Sequence, residues 1–476
     1  MKMPKNKTKI VCTIGPASES PEVMKKMMLA GMNVARLNFS HGDFDSHKRV
    51  IGNLRDAART TGRRLAIMAD LPGPKMRLGQ LAIEPIKLKK GDALTLTTDD
   101  IIGDEGRVSV SFKSLPKVVK PGDALYINDG YIEIIVIRIM ENDVYCKVLV
   151  GGKLRSRKGL NLPNIDLGIS AFTDRDLQCL EFSMEEGVDA VSQSFVESAA
   201  DIIAVRDAAN TIGHNPFIIA KIERAGAEDN LEEILKVADG IMIARGDLGV
   251  ERPIEEIAVA QKKLIYLANL MGKPVITATQ MLESMTVNIR PTRAEVTDVA
   301  NAILDGTDCV MLSGESAMGN YPVEAVEMLA KIGVSVESLR KADQVRDAIR
   351  GSFNKENQRL SDLIALSVED TLTRIAPAAI FVPTRSGSSA RSITRFRPPV
   401  WIMAVSSQEA TCKGLQFSYG VYPIHEPDHP EDWKTYTKGW LRSHEVEGQF
   451  VVLTEGPSSK HPETNNRMEI IDLKHA

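Results

Sequence analysis

Phe217-Ile-Ile-Ala-Lys-Ile-Glu223 and Gly240-Ile-Met-Ile-Ala-Arg-Gly-Asp247 are two apolar runs that begin 23 residues apart, each ending in charged residues. A short apolar run followed by a helix-like segment reads as a parallel strand buried on both faces. Working outward, the same unit recurs at Lys9–Ile14, Asn33–Phe39, Leu65–Asp70, Asp189–Phe195, Pro274–Thr279 and Cys309–Ser313. Eight βα units is the count of a TIM barrel. Six of the seven intervals between run starts lie between 23 and 35 residues, whereas 124 residues separate Leu65 from Asp189. Something is inserted after strand three.

The insert, about Pro72 to Asp166, has a different texture. Short alternating segments at Ile86–Lys89, Ala93–Thr97, Ala124–Ile127 and Tyr131–Ile139 are split by Gly-Asp and by Asn128-Asp129-Gly130, a hairpin signal. The reading is a small, mostly antiparallel β-barrel lid, joined to the main barrel by two crossings over its chemical face. Barrel helices carry legible ends. Pro253 opens a helix with apolar positions Ile254, Ile257, Ala258, Leu264, Ile265 and Ala268, Gly272 ends it, and Thr292-Arg-Ala-Glu295 is a capping box. Arg340–Arg359 reads as a helix or linker, and Ala379–Val382, Val400–Ala404 and Phe450–Leu453 as strands of a C-terminal α/β unit. The expected division is 1–71 plus 167–340 for the barrel, 72–166 for the lid and 341–476 for the C-terminal unit.

The formal charge of −4, with 43 % hydrophobic and 26 % charged residues, describes an ordinary globular protein without a basic field for nucleic acid or an anionic membrane. Five scattered cysteines in no CxxC pair suggest a reducing compartment, and the basic amino terminus leads into no apolar signal core. The expected location is the cytoplasm.

Polar residues collect where the barrel strands end. Strand two ends in Arg36-Leu-Asn38-Phe-Ser40-His41, strand three in Asp70 and strand five in Lys221-Ile-Glu223. Strands six to eight end in Arg245-Gly246-Asp247, Thr277-Ala-Thr279-Gln280 and Ser313-Gly-Glu315. Alternate residues of a strand share a face, so Lys221 and Glu223 point into one mouth, and Arg36, Asn38 and Ser40 into the same one. Glu223 and Asp247 suit Mg²⁺ or Mn²⁺, while Lys221 and Arg36 supply positive charge for a transferring phosphoryl group.

Thr8-Lys-Ile-Val-Cys-Thr-Ile-Gly-Pro-Ala-Ser18, Met32–Gly42, Ala220–Glu223, Ile243–Gly249, Thr277–Met285, Arg290–Glu295 and Met311–Glu315 resemble pyruvate kinases, in that family's order. The resemblance implies transfer of the phosphoryl group of phosphoenolpyruvate to ADP, giving ATP and an enolate protonated to pyruvate. It implies that Lys221 stabilises the phosphoryl group in flight, that Glu223 and Asp247 hold Mg²⁺, and that Gly246, Asp247 and Thr279 hold the substrate carboxylate. Arg36 would grip the phosphate, with Asn38, His41, Arg77 and Lys158 facing the nucleotide. Thr279, or a water chain reaching Ser313, would give the enolate its proton.

One departure stands out. Many members bind K⁺ through residues matching Asn38, Ser40, Asp70 and the Leu71 carbonyl, with an acidic residue where this chain has Lys75. A tethered ammonium supplies the charge of K⁺, so K⁺ is expected to be dispensable. Thr384, Ser386, Gly387, Ser388 and Ser389 resemble the family's effector phosphate loop, implying a sugar-phosphate or nucleotide activator; a homotetramer is likewise implied. The alternative is a metal-dependent lyase or mutase of the phosphoenolpyruvate/pyruvate class, which needs no nucleotide-facing Arg77 and Lys158.

Overall fold

A computed structural model of the chain describes residues 3–128, 130–340, 342–352, 359–428, 430–456 and 465–474. Each of the eight apolar runs contains a strand: Lys9–Thr13, Val34–Asn38, Ala66–Leu71, Ala190–Gln193, Phe217–Ile222, Gly240–Ala244, Val275–Ala278 and Cys309–Leu312. They are parallel and close into a barrel, Val11 pairing with Val34 on one side and Met311 on the other. Ile10, Cys12, Ala35, Leu37, Ile67 and Ala69 pack into the helical ring, while Val11, Val34, Met68, Ala190, Ile219 and Met242 fill the interior. Phe417 of the C-terminal unit plugs the floor, fully buried and stacked on Phe217 at 5.2 Å between centroids. Continuing the interior rows upward brings Thr13, Arg36, Asp70, Ser192, Lys221 and Glu223 to the open end. The parity that packs the floor thus delivers polar side chains to the mouth.

The capping box holds: the Thr292 N–H donates to Glu295 Oε2 (2.7 Å) and the Glu295 N–H to Thr292 Oγ1 (3.2 Å). The Pro253 helix differs from expectation at its start. Ile254–Glu256 is a 3₁₀ turn leading into the α-helix Ile257–Leu270. A 3₁₀ turn winds at three residues per turn, so Ile254 falls off the buried stripe and is 81 % exposed. Ala258 is exposed too; Ala260, Leu264, Ile265 and Ala268 form the stripe.

The insert forms a six-stranded sheet in the order Leu160–Asn161, Ala124–Ile127, Ile132–Met140, Asp143–Val150, Ala93–Thr97, Arg107–Ser109, antiparallel except for the last pair. Arg77 bridges Gly159 beside one edge and Leu78 bridges Val110 beside the other, so the sheet curls into a small barrel. Its core, drawn from residues between Met76 and Leu167, is separate from that of the main barrel. The hairpin falls where the sequence places it, with Asn128 at φ 57° and Gly130 at φ 84°; Asp129 lies outside the described residues.

The stretch after Leu339 contains a helix over Asp343–Ser352; Lys341 and 353–358 lie outside the described residues. The C-terminal sheet runs Val421–His425, Ile402–Ser406, Ala379–Pro383, Phe450–Glu455, Arg467–Asp472, with only the last strand antiparallel. Its first and last strands were not legible as apolar runs. The unit docks under the barrel through buried polar contacts. Arg397 pairs with Asp308 at 2.6 Å, the Tyr419 N–H donates to Asp308 Oδ1 (2.9 Å), and Lys9 Nζ donates to the Val421 carbonyl (2.6 Å). Burial pushes the Lys9 ammonium down to about 8, against the opposing pull of Cys309, Glu337 and Asp308. Among the described residues, no helix is long and apolar enough to cross a membrane.

Candidate active site

Lys221 is the centre of the mouth. Its ammonium, 6 % exposed as a residue, lies 2.7 Å from Glu223 Oε1 and 3.3 Å from Asp70 Oδ1, and it donates to Ser194 Oγ at 2.7 Å. Burial opposes its charge, but Asp70 and Glu223 outweigh burial and hold its pKa above the ordinary lysine value. Asp70 is the hub on the other side. It pairs with the Arg36 guanidinium, and Oδ1 accepts from Ser192 Oγ at 2.6 Å. Burial works against this carboxylate also, yet Arg36 and Lys221 keep it well below the usual carboxylate range. Arg36 is further fixed by a 2.8 Å bond from Nη1 to Thr13 Oγ1. Glu223 Oε2 accepts the Phe195 N–H at 2.8 Å. Two cations and two carboxylates therefore interlock, every one with a second partner that fixes its direction.

Thr13, Ser192 and Ser194 were missed by inspection of strand ends. Thr13 and Ser192-Gln-Ser194 close strands one and four, and the alternate-residue rule that selected Lys221 and Glu223 selects them equally. Ser194 also donates to the Leu71 carbonyl at 2.7 Å, tying strand three to strand four where the lid departs.

Glu223 is buried, whereas Asp247 is exposed at the start of the short helix Arg245–Glu251. Both carboxylates act on the charge of Lys221, which places them in one electrostatic neighbourhood. Two hard carboxylates with solvent access on one side match the way Mg²⁺ is held, by one or two carboxylates plus water and substrate oxygens. No cluster of three or more metal-ligating side chains occurs among the described residues, as that mode of binding requires none.

Thr279 sits in the left-handed region (φ 69°), followed by Gln280 at φ 51°. Its hydroxyl donates to the Ala278 carbonyl (2.6 Å) and accepts the Gly246 N–H (2.8 Å), joining strands six and seven. Its proton is thus committed in this state, and so is the Gly246 amide. Arg245 braces the turn from behind, donating to the Thr279 carbonyl at 2.8 Å and pairing with Asp298 at 2.7 Å. Glu315 is fully buried and accepts the N–H groups of Ser313 (2.7 Å) and Leu282 (3.0 Å), bracing the loops rather than facing the mouth.

Asn38 is turned back on its own loop, its Oδ1 accepting the Ser40 N–H at 3.1 Å, and Ser40 Oγ is buried without a hydrogen-bond partner among the described residues. Lys75 stands at the rim with its surface open to solvent. The protein packed round its ammonium, and then the like charge of Lys221, lower its pKa against the pull of Asp70, Glu223 and Asp247. His41 is exposed; partial burial, then Lys75, Arg77 and Arg36, disfavour its protonation. Arg77 donates to the Arg157 carbonyl at 3.1 Å, and the Lys158 carbonyl accepts the Leu78 N–H at 2.9 Å, so both belong to the lid wall. Between lid and barrel lies a cavity of about 1620 Å³ reaching Gly246, Asp247, Thr279 and Ser313 from one side and Tyr126, Tyr131 and Ile165 from the other.

In the C-terminal unit, Thr384–Ser389 forms a strand-to-helix turn. Gly387, at φ 81°, donates its N–H to Thr384 Oγ1 (2.9 Å), and Arg391 donates to the Ser386 carbonyl (2.8 Å). Ser386, Ser388 and Ser389 are exposed.

Residues 5–326 match the family model for the pyruvate kinase barrel domain, and 362–471 that for the pyruvate kinase alpha/beta domain. The chain belongs to the pyruvate kinase family. A curated pyruvate kinase of Thermococcus litoralis is 50 % identical over 478 residues, covering 99 % of this chain and 100 % of the relative. One from Geobacillus stearothermophilus is 42 % identical over 98 % of this chain and 80 % of its own length. Among solved structures, a pyruvate kinase from Cryptosporidium parvum superposes with a TM-score of 0.91 at 36 % identity, covering 98 % of this chain and 96 % of that one. A pyruvate kinase is a phosphotransferase, and that is the enzyme class of this chain. Divalent-metal dependence and the substrates phosphoenolpyruvate and ADP come with the family.

Proposed function

We propose that the interlocked Arg36–Asp70–Lys221–Glu223 cluster carries phosphoryl transfer from phosphoenolpyruvate to ADP, the phosphate–enol oxygen bond breaking as a bond to the terminal ADP oxygen forms. Phosphoryl transfer is mostly positioning and charge stabilisation, and the cluster supplies both. Lys221, kept charged and aimed by Asp70, Glu223 and Ser194, stabilises the group in flight. Arg36, aimed by Asp70 and Thr13, grips the phosphate. Glu223 and Asp247 hold Mg²⁺ or Mn²⁺, which when bound neutralises charge on the phosphoryl and substrate oxygens. Gly246, Asp247 and Thr279 receive the substrate carboxylate once the Gly246–Thr279 bond gives way. Asn38, His41, Arg77 and Lys158 face the nucleotide, the latter two brought over it by the lid.

Lys75 stands in for K⁺ beside Asn38, Ser40, Asp70 and Leu71. The coupling of the exposed Lys75 to the Asp70 charge supports this reading. Further parts rest on the family resemblance, an effector phosphate held by Thr384 and Ser386–Ser389 and a homotetramer, while the division of units at 71/72, 166/167 and 340/341 rests on the spacing and texture of the sequence. Five free, buried cysteines accord with a cytoplasmic setting. The lyase or mutase alternative draws no support from the full-length relatives.

The test is pyruvate formation from phosphoenolpyruvate, ADP and Mg²⁺, with K⁺ exchanged for tetramethylammonium at fixed ionic strength. Equal turnover in both salts, and K⁺ dependence appearing in Lys75→Glu, is the expected result. Many-fold activation of the unaltered protein by K⁺ overturns the role of Lys75, and no turnover in either salt overturns the whole reading.

A further inference from the structure

The lid leaves and rejoins the barrel at two crossings, and each is gripped by buried charged side chains that the reaction scheme above does not use. At the first, the Gly73 N–H (φ 63°) donates to Oδ1 of the fully buried Asp176 at 2.9 Å. Asp176 also accepts from the Thr173 N–H (2.8 Å) and hydroxyl (2.6 Å). This is a complete set of bonds and a fixed anchor.

The second crossing is held differently. Asn164 takes φ 58°, and the next carbonyl, Ile165, accepts from Arg224 Nη2 at 2.7 Å. Arg224 Nε lies 2.6 Å from Glu197 Oε1 and 3.9 Å from Glu251 Oε2. The side chains of Arg224 and Glu251 are each 7 % exposed, so the pair is shielded from solvent. The backbone N–H groups of Ala225 and Asn164 face the Glu251 carboxylate. Yet 3.9 Å is beyond hydrogen-bond length, and Glu251 Oε2 has no hydrogen-bond partner among the described residues. A buried carboxylate oxygen this close to a guanidinium gains by closing the gap. The chain positions of the pair matter as much as the distances. Arg224 directly follows Glu223, and Glu251 lies one helical turn beyond Asp247.

We infer that Arg224 and Glu251 are positioning residues that latch the second lid crossing onto the two segments bearing Glu223 and Asp247, drawing together as the lid seats. Nucleotide capture under the lid is then set by this movement. The inference rests on the functional reading above, since it takes Glu223, Asp247 and the nucleotide to meet beneath this lid.

The experiment compares the whole protein with Arg224→Gln, Glu251→Gln, the double variant and Arg224→Lys. Deuterium uptake of the segment 163–168 is measured first, without substrates or metal, alongside melting temperature. Loss of the latch raises uptake at this crossing while the first crossing at 71–73 stays protected. In turnover, the KM for ADP rises about tenfold, within the ordinary range of coupling between sites, while the KM for phosphoenolpyruvate holds. The double variant is no worse than the worse single one, because both remove one latch, and Arg224→Lys recovers part of the loss. Unchanged uptake at 163–168 in both single variants overturns the inference. So does a rise in both KM values together, or a lower melting temperature with normal kinetics. Failure of the functional reading is distinguishable, because then the unaltered protein itself does not turn over.

Discussion

Replacing Lys221 by Met removes the cation paired with both buried carboxylates, leaving Arg36, with Lys75 at the rim, to balance Asp70 and Glu223. At an effective dielectric of about 20, the attractions lost at 2.7 and 3.3 Å are each about 5–6 kcal/mol. Part of that is returned, because the lysine no longer has to be desolvated. Breaking a buried pair typically costs about 3–5 kcal/mol net. Proton uptake sets a ceiling, since an orphaned carboxylate neutralises rather than stay charged. Protonating a carboxyl of ordinary pKa at pH 7 costs about 4 kcal/mol, and at pH 5.5 about 2 kcal/mol. In that range the folded variant carries one proton more than its unfolded chain, so its stability falls as pH rises. The deficit against the unaltered protein is therefore about 4 kcal/mol at pH 7 and shrinks by about 1.4 kcal/mol for each pH unit on acidification. Turnover drops by about 10³ or more, as when a charge on the transferring phosphoryl group is removed. Calorimetric melting of both proteins from pH 5.5 to 7.5, alongside pyruvate formation, checks this. A pH-independent melting deficit refutes the charge-balance reasoning, and near-normal turnover removes Lys221 from the mechanism.

Glu223→Ala should raise the Mg²⁺ concentration needed for half-maximal activity at least tenfold, as loss of one of few protein ligands does; an unchanged titration places the metal elsewhere. Lys9, held down to about 8 by burial, binds its proton less tightly folded than unfolded. Between pH 8 and about 10.5 the unfolded chain therefore carries more protons, and stability gains a rising contribution with pH. Lys9→Met should abolish that part of the slope in melting curves, and an identical slope in both proteins refutes it.

The barrel was legible because its strands are buried on both faces and read as apolar runs, which need no partner to be seen. The lid's hairpin was legible for a local reason too: Asn and Gly tolerate the positive φ that the turn imposes. Strands Val421–His425 and Arg467–Asp472 were not, since both carry polar or exposed residues. Their pairing comes from neighbours distant in the chain. Ile254 shows the opposite error, an apolar residue put outside by a change of helical pitch.

For the candidate site, sequence alone determined which residues reach the mouth. Strand period fixes the face of each side chain, so Arg36, Asp70, Lys221 and Glu223 were identifiable without coordinates. What only the tertiary structure decided is how their charges are spent. Asp70 serves two cations at once, Ser192 and Ser194 join from a strand whose end looked uninformative, and Thr279 locks to Gly246 across two strands. The clamps on the lid, Asp176 on Gly73 and Arg224 with Glu251 on Asn164 and Ile165, join residues from about 60 to over 100 positions apart in the chain. Periodicity is a property of one strand and travels with the sequence. Charge balance and hinge geometry belong to groups several strands apart, and they exist only after the barrel has closed.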